Sequence, residues 1–83
     1  MKGRRIGEAL KRFRKQRGWT VSDVAVQLSE QYQVEVADKT IYGWESDQAY
    51  PRLEIFFFLC ELYQIDNLSG VFDTTNTALQ VLN

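Results

Sequence analysis

Eighty-three residues, 45% hydrophobic and 13% aromatic, are enough for one small folded domain with a single modest core, and they exclude a disordered chain. With no histidine and a single cysteine, Cys60, a Cys/His metal site, Ser-His and Cys-His nucleophile pairs and an intramolecular disulfide are all excluded. The net charge of −1 hides a strong polarity: residues 1–17 carry eight Lys and Arg against Glu8, whereas residues 18–83 carry Lys39 and Arg52 against ten acids.

The first predicted helix has Ile6, Ala9, Leu10 and Phe13 on one stripe with charges opposite, and Gly18 after Arg17 supplies a left-handed stop. A second follows a Thr20 N-cap supported by Asp23. Its stripe of Val21, Val24, Ala25, Leu28 and Tyr32 carries it to about Tyr32, with "QVEV" as the connection. The alternation of Val34 and Val36 also fits a short strand, though nothing obvious pairs with it. The third helix, "DKTIYGWES" from Asp38 to about Ser46, places Ile41 and Trp44 inward with a glycine between them.

A turn, "DQAYP", leads into a fourth helix from about Arg52 to Tyr63. Leu53, Phe56, Leu59, Cys60 and Tyr63 form its apolar side, and Phe58 projects near Glu54 and Glu61. "NLSGVF" reads as a short fifth helix after an Asn67 cap, and residues 73–83 form a tail. The longest apolar run, "IFFFLC", is far shorter than a membrane span, and the basic N-terminus lacks the apolar region of a secretory signal. A cytoplasmic location is expected, with no membrane partner, no metal and no cofactor. No paired acids stand out for carboxylate catalysis, so enzyme is the least favoured class.

In order and spacing, "IGEALKRFRKQRGWT", "VSDVA", "KTIYGWES" and a proline followed by "LEIFFFLCELYQI" resemble the Cro/repressor-type helix-turn-helix domains of the XRE family. The resemblance covers about Ile6 to Phe72. It implies an all-α, five-helix lambda-repressor-like domain over residues 1–72, here with a lengthened second helix or turn. It also implies a regulator of bacterial or phage type, with the third helix in the major groove of double-stranded DNA.

Carried onto this chain, the base-reading positions are Asp38, Lys39, Tyr42 and Gly43, and the helical wheel puts the same four opposite Ile41 and Trp44. Lys39 suits guanine O6 and N7, Asp38 suits cytosine N4, and Gly43 removes bulk. Asp38 also reads as a first-turn acid or as a replacement for the Ser or Thr cap that Ala37 lacks. Lys39 and Tyr42 equally fit an ordinary solvated surface. Phosphate contacts fall to the N–H groups of Val21 and Ser22 and the side chains of Thr20, Ser22, Ser46, Gln48 and Arg52. Arg14 and Glu45 resemble a family ion pair that fixes the third helix on the first and turns the arginine toward DNA.

Three departures stand out: Val21 replaces a common Gln, "SEQYQVE" lengthens a turn that is normally short, and Asp47 replaces a glycine. With so few cations, weak binding by one domain is expected, improved by a homodimer on a palindromic operator. Phe58 and Leu62, with the tail, supply the apolar surface for pairing, unless the tail covers Phe58 within one chain. The competing class is a helix-turn-helix fold used for protein interaction, as in an antitoxin or adaptor.

Overall fold

The computed structural model describes residues 6–65, and these form four α-helices without a strand. They are α1 (Ile6–Gln16), α2 (Val21–Tyr32), α3 (Asp38–Glu45) and α4 (Leu53–Leu62). The expected fifth helix, the 73–83 tail and the cations Lys2, Arg4 and Arg5 lie outside the described residues.

Each boundary has a local cause. Gly18 sits at φ +74°, and its N–H donates to the Lys15 carbonyl at 2.9 Å, ending α1. Thr20 and Asp23 form a reciprocal capping box: the Asp23 N–H donates to Thr20 Oγ1 at 3.0 Å, and the Thr20 N–H donates to Asp23 Oδ2 at 2.8 Å. α2 stops where Gln33 turns left-handed at φ +56°. Val34 and Val36, expected as an alternative strand, instead lie in the connection and pack half-buried against the core.

The core joins all four helices. Ile6, Ala9 and Leu10 come from α1, Val21, Val24 and Leu28 from α2, Ile41 and Trp44 from α3, and Ile55, Phe56, Leu59 and Leu62 from α4. Packing of α3 against both α1 and α2, and of α2 against α4, holds α3 as the middle element. Beyond α4, the buried ring of Tyr63 lies 6.3 Å from Phe13 and 6.2 Å from Trp19, closing one end of the core. Burial pushes the Tyr63 hydroxyl well above its ordinary pKa, with the charge of Glu45 adding to the effect.

Two expectations for α4 are corrected. Leu53, assigned to the apolar side, is 67% exposed, and Ile55 is buried instead. The expected pairing surface of Phe58 and Leu62 is also largely used up. Leu62 is 8% exposed within the core, and Phe58 stacks on Tyr32 with centroids 4.3 Å apart. Lengthening α2 to Tyr32 is what supplies that ring. The large apolar side chains left on the surface of α4 are Leu53 and Phe57, one turn apart, with Phe57 54% exposed.

Candidate nucleic-acid interface

Ile41 and Trp44 anchor α3 from one side, and the opposite side carries Asp38, Lys39, Tyr42 and Gly43. Lys39 is exposed, Tyr42 is 59% exposed, and a Cβ added at Gly43 would meet nothing within 4 Å. The four expected base-facing residues therefore share one surface.

Three contacts set the position of this helix. Arg14 grips Glu45 with two parallel bonds, Nε to Oε2 at 2.7 Å and Nη2 to Oε1 at 3.0 Å, and its Nη1 donates to the Trp19 carbonyl at 2.9 Å. The hydrogen bond to Glu45 raises the Arg14 pKa, outweighing the opposing effect of burial. Arg14 is 7% exposed, so the pair is structural as expected, but the arginine does not turn outward toward a ligand. A fork gripping a carboxylate fixes angle as well as distance, which suits a clamp between helices.

The other two contacts were missed by sequence reasoning. At Gly7 a Cβ would come within 2.5 Å of the Glu45 carbonyl oxygen and 2.7 Å of that of Trp44, so α1 and the end of α3 touch backbone to backbone. Asp47, left-handed at φ +61°, accepts the Gly7 N–H on Oδ1 at 2.9 Å. Asp47 thus takes the left-handed position in the turn and also caps the start of α1. A glycine inside an amphipathic pattern is a visible sign of close approach; a partner forty residues away is not.

At the opposite end of α3, the N-cap is Ala37 with no side-chain cap. Asp38 is therefore the first helical residue rather than the replacement cap, and its Oδ2 accepts the Ser22 hydroxyl.

No family model, curated protein or solved structure matches this chain.

The expected phosphate contacts divide into two groups. Thr20 Oγ1 accepts the Asp23 N–H as an N-cap and keeps its own proton to donate, whereas the Ser22 proton goes to Asp38. Val21 has a buried side chain and would contribute only its N–H at the helix start. Ser46, Gln48 and Arg52 are exposed in the segment after α3; Ser46 Oγ donates to the Gly43 carbonyl at 3.3 Å, and the Gln48 N–H to the same oxygen at 3.0 Å. Arg52 is also the N-cap residue of α4, following the buried Pro51. A cleft of about 580 Å³ lies between the 33–36 connection, α3 and the start of α4, with Thr40, Arg52, Glu54 and Phe58 on its walls.

Among the described residues no helix is long and apolar enough to cross a membrane. Lys11, Arg12 and Lys15 on α1, and Arg17 just after it, are exposed. Two of these guanidinium groups lie over aromatic rings, Arg12 5.5 Å from Phe13 and Arg17 5.8 Å from Trp19.

Proposed function

We propose that this chain is a sequence-specific double-stranded DNA-binding regulator of bacterial or phage Cro/repressor type. It would act in the cytoplasm by occupying an operator with α3 in the major groove. The observation that carries the reading is Gly43. A glycine inside a helix costs about 1 kcal/mol relative to alanine, and the space beside it is open, with no packing reason for its absent side chain. Close approach of α3 to a groove supplies the missing reason, and exposed Lys39 and Tyr42 flank the gap.

A homodimer would bring a second α3 to a palindromic site, with half-sites about one helical turn apart. Leu53 and Phe57, rather than Phe58 and Leu62, are the α4 side chains available for that pairing. The same exposed pair favours the second reading, a helix-turn-helix fold that binds a protein, as an antitoxin or adaptor does.

Selection from a random duplex pool at low salt separates the two readings. A regulator enriches one motif, and Lys39→Ala and Tyr42→Ala each weaken binding to it. No enriched motif, with all duplexes bound alike, would overturn the regulator and leave the protein-binding reading.

A further inference from the structure

We infer that the cleft between the 33–36 connection, α3 and the start of α4 is a binding site for a small zwitterion with an apolar body, the chemistry of a free apolar amino acid. This site stands independently of the DNA-binding reading. The observation that points to a ligand is Trp44. It is 4% exposed, yet among the described residues nothing accepts its indole N–H, a donor that ordinarily finds a partner when buried. No unpaired side-chain polar atom is sealed inside among those residues, so this N–H opens outward, and the cleft is the surface that Trp44 lines.

The walls divide into a floor and a rim. Trp44, Pro51 and Ile55 are buried and Phe58 is half-buried, which makes the floor apolar, and the stack on Tyr32 fixes the Phe58 ring. Glu35 on the connection and Arg52 and Glu54 at the start of α4 are exposed around it. An apolar lining with a few polar groups, in a volume of about 580 Å³, is the usual make-up of a small-molecule site.

Charge decides the class of occupant. A plain anion suits Arg52 and the Trp44 N–H but meets two carboxylates. A plain cation suits Glu35 and Glu54, but it opposes Arg52 and leaves the Trp44 donor without an acceptor. A zwitterion uses every group: its carboxylate takes Arg52 and the indole N–H, its ammonium takes the glutamates, and its apolar part lies on the floor. Glu35 is steadied for this by the Ser29 hydroxyl, which donates to Oε2 at 2.6 Å and leaves the second oxygen as an acceptor.

Titration of the isotope-labelled full chain, without DNA, tests the site by NMR. Trp19 and Trp44 are the two tryptophans, so two indole N–H signals are expected, assigned by Trp19→Phe or Trp44→Phe. L-phenylalanine should move the Trp44 signal saturably and leave that of Trp19 in place. Phenethylamine, which lacks the carboxylate, and hydrocinnamate, which lacks the ammonium, should each bind about 10-fold or more weakly, the effect of one charged hydrogen bond. Arg52→Ala should reduce L-phenylalanine to the level of phenethylamine, and Glu54→Gln should weaken it too; both side chains are exposed, and the dispersion of the same spectra checks that each variant folds. No movement of the Trp44 signal with L-phenylalanine or L-leucine up to about 10 mM, ten times the weakest affinity expected, would overturn the site. Either single-charge analogue binding as tightly as L-phenylalanine would overturn the zwitterion, whatever the outcome with DNA.

Discussion

At the scale of single residues, two glycines with similar sequence contexts have opposite causes. Gly7 has no room for a methyl group, because the carbonyl oxygens of Trp44 and Glu45 lie where a Cβ would go. Gly7→Ala is expected to destabilise the fold by about 1–3 kcal/mol, the usual cost of overpacking, measured by urea denaturation. Gly43 has open space. Gly43→Ala should therefore stabilise the fold by about 0.5–1 kcal/mol through helix propensity, while weakening DNA binding. Stability from thermal melting and affinity from fluorescence anisotropy should move in opposite directions. If the variant binds DNA as well as wild type, close approach is not the reason for the glycine.

At the scale of elements, α3 is short, and eight residues are too few to persist without tertiary support. Its two ends are held differently. Ser22 meets Asp38 at the exposed start, whereas Arg14 and Glu45, with side chains 9% and 5% exposed, clamp the buried end. Glu45→Ala leaves the Arg14 charge with one carbonyl partner in a buried site. It should cost about 3–5 kcal/mol, as breaking a buried pair from one side does, read from denaturant midpoints. Gln33 tests the other side of the α2–α3 connection. Its left-handed φ of +56° carries strain that glycine lacks. Gln33→Gly should gain about 1 kcal/mol, seen as a higher melting temperature. Asp47→Gly, at a comparable φ, should gain less, because the hydrogen bond from Gly7 goes with the carboxylate.

At the scale of the whole molecule, charge is divided between a basic first helix and acidic remaining elements. Near α3 the exposed cations are Lys39 and Arg52. If those two alone neutralise phosphates, log affinity against log salt should fall with a slope of about −2 per domain, since each phosphate contact contributes about −0.9. Anisotropy titrations from low to moderate salt measure it. A much steeper slope would bring the α1 cations into the interface. Pairing belongs to this scale too. Phe57→Glu should abolish self-association in sedimentation equilibrium and Phe58→Glu should instead lower stability, because Phe58 is stacked on Tyr32. A Phe57→Glu protein that still dimerises would place the interface elsewhere.

Much of the fold was legible in sequence because its signals are local. The Thr20–Asp23 box, the Gly18 stop and the Ile41–Trp44 spacing each involve residues within one or two turns of each other. From them follow the positions of α1 to α3 and the outward side of α3. The Arg14–Glu45 pair was expected from family resemblance, since its partners lie 31 residues apart and no local pattern links them. Tertiary structure alone decided what depends on neighbours in space. α4 is apolar on more than one side, and periodicity cannot say which side is covered. Tyr32 on the lengthened α2 takes Phe58, the core takes Leu62, and Leu53 is left in solvent. In the same way, Asp38 could be assigned an outward position from its spacing, but its bond to Ser22 required α2 and α3 to meet at their first turns. Helical periodicity determines the direction a side chain leaves its own axis; only the packed arrangement of several axes determines what it finds there.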